Sequence, residues 1–156
     1  MTRSENPPET HIPVGLGIVL RESILDRPNG GGENGDEPRI LVTRRTDGAL
    51  FAGYWEFPGG KVEEGEPIED CVVREVREEV GIGVRVIHNL CPVTHTYPHG
   101  TVRLHPSICV REDPIAEPRS IEVAETRWCR LDEFASLRFL PANESILVNL
   151  REYLEG

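Results

Sequence analysis

No run of 18 or more apolar residues occurs in the 156-residue chain, which excludes a membrane-spanning helix. The start carries no apolar stretch either. Residues 1–10 are polar and include Pro7 and Pro8, so a secretory signal is not expected there and residues 1–11 read as a frayed tail. Cysteine is sparse: Cys71, Cys91, Cys109 and Cys129 form no Cys-x-x-Cys pair and have no histidine at zinc spacing. Reduced, partly buried thiols in a cytoplasmic protein are the expectation. Basic residues are short as well, with 17 Lys and Arg against 27 Asp and Glu and a formal net charge of −10. Duplex binding depends on cations neutralising phosphates, so a long nucleic acid is disfavoured as a partner. A small phosphorylated substrate that arrives with a divalent cation is not, because the metal cancels much of the repulsion. Internal repeats are absent, and the length suits one domain, expected over residues 12–156.

What is present divides into strand and helix signals. Residues 12–20 (IPVGLGIVL) form an apolar, β-branched run interrupted by Gly15 and Gly17, the pattern of a buried strand. Residues 39–44 (RILVTR) read as its hairpin partner across a long connection. That connection, 26–38, is rich in Gly and Asn but lacks a Gly-Lys-Ser/Thr ending, and reads as a flexible insertion rather than a phosphate loop. A helix is expected over 67–80, opened by Pro67 and closed by Gly81, with Val72, Val73, Val76 and Val80 as its buried stripe. Further strands are expected over 84–90, 93–97, 101–111 and 122–131, with Pro106 implying an edge position or a bulge in the third. A second amphipathic helix spans 143–154, with Ile146, Leu147, Leu150 and Leu154 facing the core. This order gives a mixed α/β (α+β) fold whose sheet is covered on both faces.

The helix over 67–80 also carries Glu75, Glu78 and Glu79 at i, i+3 and i+4, which places three carboxylates on one face. Like charges that close repel. A divalent cation, Mg²⁺ or Mn²⁺, relieves the repulsion and takes oxygen ligands of this kind. The alternative is a solvated acidic face paired with Arg74 and Arg77.

The full stretch reads Gly60, five residues, Glu66, seven residues, then Arg74-Glu75-Val76-Arg77-Glu78-Glu79-Val80-Gly81-Ile82. It resembles the Nudix box, with every fixed position present; a chance match at one window is on the order of 10⁻⁹ at ordinary residue usage. The resemblance implies an α/β/α sandwich with a mixed sheet, and hydrolysis of P–O–P linkages assisted by Mg²⁺ or Mn²⁺. It implies metal ligation by Glu75, Glu78, Glu79 and the Gly59 carbonyl, with Arg74 orienting the glutamates and Glu66 a supporting acid. The base that accepts the water proton falls on the helix, at Glu79, or on a later loop, at Glu122 or Glu125. The catalytic candidates carried forward are Glu79, Glu78, Arg74 and Glu125.

Outside the box three stretches resemble the MutT branch, which hydrolyses nucleoside triphosphates to the monophosphate and pyrophosphate. The Thr43-Arg44-Arg45 strand end implies phosphate contact by Arg45. The run Trp55 to Lys61 implies a nucleoside pocket lined by Glu56 and Phe57. In Pro141-Ala142-Asn143-Glu144, Asn143 is matched to a purine-reading asparagine, although Asn before a helix is also a favoured N-cap. Tyr97 can stack on a base, whereas Gly100 stands where that branch has an arginine. The substrates in view are therefore an oxidised purine triphosphate such as 8-oxo-dGTP or another nucleoside triphosphate. ADP-ribose, a nucleotide sugar or a dinucleotide polyphosphate is the alternative, and a catalytically silent ligand sensor a third reading. The protein is expected to be a monomer or homodimer.

Overall fold

A computed structural model describes residues 11–22 and 38–156. Most of the expected tail and of the 26–38 insertion lies outside the described residues. Among the described residues eight strands build one mixed sheet: β1 (Ile12–Leu20), β2 (Ile40–Arg44), β3 (Trp55–Glu56), β4 (Gly59–Lys61), β5 (Val84–Asn89), β6 (Val93–Tyr97), β7 (Gly100–Arg111) and β8 (Glu125–Cys129). Helix α1 spans Ile68–Val80, helix α2 spans Pro141–Glu155, and a 3₁₀ helix covers Leu131–Ser136. The sheet runs β3-β2-β1-β7-β5, with β4 beside β1, β6 beside β7 and β8 beside β2.

The β1 strand organises this arrangement. It pairs in parallel with β7 from Ile12↔Val102 to Leu20↔Val110, and antiparallel with β4 from Val14↔Lys61 to Leu16↔Gly59. The expected hairpin between the first two strands is reduced to its neck, Leu20↔Ile40. Beyond that point β4 takes the other edge of β1, and β2 instead pairs along its whole length with β8.

Alternation along β1 sorts its side chains to two faces. Leu16, Ile18 and Leu20 join Ile146 and Leu150 of α2 in one core cluster, while Val19 joins Val72, Val76 and Val80 of α1 in the other. The sheet is thus covered on both faces, as expected. Gly15 and Gly17 turn out to be docking positions for α1: a Cβ at Gly17 would lie 2.8 Å from Val76 Cγ2, and one at Gly15 3.1 Å from Cys71 Sγ. That close approach seats the carboxylate helix on the sheet. Its ends follow the sequence, with Pro67 at the N-cap and Gly81 in the left-handed conformation (φ 75°), its N–H donating to the Arg77 carbonyl.

Pro106 is neither at a sheet edge nor in a bulge of its own strand. It lies in β7 between the stretch paired with β6, whose last pair is Val93↔Leu104, and the stretch paired with β5, which starts at Asn89↔Ser107. The missing N–H costs nothing in that gap, and the Pro106 carbonyl still accepts from Leu90 N–H at 2.9 Å. The register irregularity is in β5, between Val86 and His88. Among the described residues no helix is long and apolar enough to cross a membrane.

Candidate active site

The loop into α1 and the helix itself bring the box residues together through one arginine. Arg74 Nε–H and Nη2–H donate to the two Glu66 oxygens at 2.8 and 2.9 Å, a bidentate pair. Its Nη1–H reaches Glu75 at 2.8 Å and Glu78 at 3.3 Å. Glu66 also accepts from the Glu63 N–H, and these bonds, Arg74's first, hold its carboxyl down at about 2. Arg74 therefore orients two of the three helix carboxylates rather than facing a cleft.

Glu79 is treated differently. Its carboxylate accepts the Gly59 N–H at 2.7 Å, so β4 is tied to the helix. Burial pushes this carboxyl up to about 8 despite that bond, and the charges of Glu56, Glu75 and Glu122 push the same way. Glu75 is raised too, by burial first, against the pull of Arg74. Glu75 lies directly over Gly60, where a Cβ would come 2.5 Å from its carboxyl carbon.

Two loop acids were candidates, and the fold separates them. The Ile121 and Glu122 N–H groups both donate to the Glu79 carbonyl at 3.1 Å, and Arg119 N–H donates to the Val80 carbonyl at 2.8 Å. Segment 119–122 thus caps the C-terminal carbonyls of α1, and the Glu122 charge reaches Glu75 and Glu79. Glu125 instead pairs with Arg44 at 3.2 Å in the β2–β8 ladder. Of the two loop acids, Glu122 sits on the segment that caps α1, while Glu125 is held in the β2–β8 ladder.

Beside this acidic face opens a cleft of about 250 Å³, lined among others by Arg45, Leu50, Phe51, Glu56, Gly59, Gly60, Tyr97, His99 and Asn143. Arg45 and Glu56 form an ion pair at 2.8 Å across adjacent strands. Burial raises the Glu56 carboxyl and Arg45 opposes it. Tyr97 stacks on His99 (5.2 Å between ring centroids, 14°) and meets Phe51 at 5.7 Å.

One substrate-binding expectation changes, that for Phe57, and the N-cap alternative for Asn143 falls. The Phe57 ring is fully buried against Phe134 and Phe139, so it is core and not cleft wall. Alternation explains this: Trp55 and Phe57 point into the core cluster, and the intervening Glu56 faces the cleft. Asn143 lines the cleft but caps nothing. Pro141 starts α2 two residues earlier than expected, leaving Asn143 inside the first turn, where its Oδ1 accepts the buried Phe57 N–H at 3.0 Å. Asn143→Ala leaves that N–H without a partner and is expected to cost about 1–3 kcal/mol. Urea denaturation measures this loss; an unchanged midpoint would show that water replaces the bond.

The matching family model, that of the NUDIX domain, covers residues 31–150. The chain belongs to the Nudix hydrolases. It is 35% identical over 112 residues to the 8-oxo-dGTP diphosphatase of Escherichia coli (strain K12), covering 72% of this chain and 85% of that one. It is also 34% identical over 113 residues to the NAD-capped RNA hydrolase NudC of Stutzerimonas stutzeri (strain A1501), where the match spans 69% of this chain but 39% of NudC. The crystal structure of the MutT NUDIX hydrolase from Burkholderia pseudomallei has a TM-score of 0.66 at 27% identity, covering 90% of this chain and 98% of that one. These matches support the MutT-like branch.

Nudix hydrolases generally use divalent cations, and the donor chemistry here fits one. Among the described residues no three acidic, His or Cys side chains already converge as ligands, because Arg74 engages Glu75 and Glu78 while Gly59 N–H engages Glu79. Yet burial and the charges of Glu56, Glu75 and Glu122 raise the Glu79 carboxyl, and burial with Glu78 and Glu122 raises that of Glu75, as hard oxygen donors short of positive charge should behave. A Glu79 carboxyl at about 8 in the folded protein, against its ordinary 4.5, binds its proton more tightly folded than unfolded. Its contribution is therefore present in full below about 4.5 and is lost as pH rises towards about 8. For the metal-free Nudix hydrolase the melting temperature is expected to fall between about pH 5 and about pH 9, with a flatter profile in Glu79→Gln. Identical profiles for the two proteins would contradict the assignment.

Proposed function

We propose that this Nudix hydrolase cleaves a nucleoside triphosphate to the monophosphate and pyrophosphate with Mg²⁺, and that an oxidised purine triphosphate such as 8-oxo-dGTP is within its range. The observation that carries the reading is one cleft lined both by Gly59 and Gly60, which touch Glu79 and Glu75 of the carboxylate helix, and by Tyr97 and Asn143. A P–O–P linkage carries dense negative charge, and its hydrolysis needs that charge neutralised and a water positioned. The E. coli relative, named an 8-oxo-dGTP diphosphatase, supports the substrate class.

Glu75, Glu78 and Glu79, with the Gly59 carbonyl, would hold the cation. When bound, it neutralises phosphate oxygens and lowers the pKa of attached water. Arg74 keeps Glu75 and Glu78 oriented, as its hydrogen bonds do here. Glu122 accepts the proton of the attacking water at its carboxylate, a role for an acid within the field of the helix glutamates. At the other end Tyr97 offers a flat face to the base. The Asn143 amide can donate to the purine edge while its oxygen stays on Phe57 N–H.

The test is a competition panel of normal and oxidised purine triphosphates, CTP, ADP-ribose and a dinucleotide tetraphosphate, with Mg²⁺ and with Mn²⁺. Preferred turnover of a triphosphate supports the reading. Turnover of ADP-ribose or the dinucleotide alone would replace it with the second substrate class, and inertness throughout would favour a ligand sensor.

A further inference from the structure

Resting on the nucleotide reading above, we propose that Phe51 is a base-contacting specificity residue, held in place by Arg45 acting as a latch on its loop. Phe51 has φ 57°, and it is the one non-glycine residue with positive φ among the described residues. For a bulky side chain this conformation is strained and persists only where the surroundings impose it. What imposes it is visible. Arg45 Nε–H donates to the Leu50 carbonyl at 2.6 Å, and its Nη1–H donates to Glu56 Oε2 at 2.8 Å. The Arg45 main chain closes the same loop, accepting from Gly53 N–H at 3.1 Å and donating to the Tyr54 carbonyl at 2.9 Å.

The consequence is an aromatic wall assembled from two separate loops. The Phe51 ring stands 5.7 Å from Tyr97 and 5.8 Å from Tyr54, and Tyr97 stacks on His99 of the β6–β7 turn. Phe51, Tyr97 and His99 all line the cleft, yet Phe51 keeps 36% of its surface exposed and Leu50 keeps 59%. Partly exposed apolar side chains at a cleft mouth, on a strained backbone, contribute little to the core. Their chemistry suits the flat face of a heteroaromatic base. Arg45 is already committed to Leu50 and Glu56, so its charge acts on the cleft through the loop rather than as a free phosphate contact.

The proposal is tested by steady-state kinetics with a purine nucleoside triphosphate and its abasic deoxyribose triphosphate analogue, on the full chain with Mg²⁺. Phe51→Gly removes the ring and relieves the backbone, so its melting temperature should not fall. Its KM for the nucleotide should rise about tenfold or more, that for the abasic analogue less than twofold, and Phe51→Trp should restore most of the loss. Arg45→Lys keeps the charge but cannot bridge both acceptors, so it should reproduce the base-dependent rise. An unchanged nucleotide KM in Phe51→Gly, or an equal rise for the abasic analogue, would overturn the role of Phe51. An Arg45→Lys defect equal for both compounds would make Arg45 a phosphate contact and overturn the latch. Wild-type protein that turns over neither compound would sink the nucleotide reading itself, and this proposal with it.

Discussion

Glu79→Gln lowers turnover by about 10²–10⁴-fold while the protein stays folded. The substitution keeps the volume and an oxygen acceptor for Gly59 N–H, so the tie between β4 and α1 survives. What disappears is a negative charge that burial and three neighbouring carboxylates have made costly. The proposed cation ligand needs that charge, which the amide cannot supply. Steady-state kinetics beside a circular dichroism melt checks the point. Near-normal turnover in folded protein would remove Glu79 from the machinery. Glu122→Gln is likewise expected to lower turnover in folded protein, because the acid it replaces is the proposed proton acceptor.

The adjacent glycines are expected to part company when each is changed to alanine. At Gly59 a Cβ would collide with the Gly15 carbonyl oxygen, which belongs to the central strand and has nowhere to go. Gly59→Ala should therefore cost about 3 kcal/mol, or roughly 6–12 °C in melting temperature for a chain of this size. At Gly60 the obstruction is the Glu75 carboxylate, the far end of a flexible side chain. Gly60→Ala should leave the melting temperature nearly unchanged and lower activity roughly 10–100-fold by displacing that carboxylate. Equal melting losses would show that the two positions do not differ in this way.

The parts of this account that could be read from sequence are those encoded within a few turns of chain. The first helix is framed by Pro67 and Gly81 and marked by valines at i+4 spacing, so its limits agree with the structure to within one residue. Its three glutamates share a face for the same local reason. Long-range pairing was less legible. Nothing in residues 12–20 announces that β4 displaces β2 from the edge of β1, or that the two glycines there admit a helix. The approach of Glu122 to the helix glutamates depends on backbone N–H groups capping α1 from a segment about 40 residues later in the chain.

Some signals were present and pointed elsewhere. Pro141 marks a helix N1 position, which moves Asn143 out of the cap. Alternation in Trp55-Glu56-Phe57 separates the cleft-facing glutamate from the core phenylalanine. The Leu50-Phe51 pair, apolar and flanked by Gly48 and Gly53, is partly exposed in a loop and lines the cleft.

The most direct test of the central claim, that the α1 carboxylates and the adjoining cleft together hydrolyse a nucleoside triphosphate, is product analysis by phosphorus NMR. The substrate is 8-oxo-dGTP or dGTP, incubated with Mg²⁺ and, separately, with excess chelator. Monophosphate and pyrophosphate should form in equal amounts with Mg²⁺, and neither should form with chelator. Turnover undiminished by the chelator, or an intact triphosphate after prolonged incubation with Mg²⁺, would contradict it.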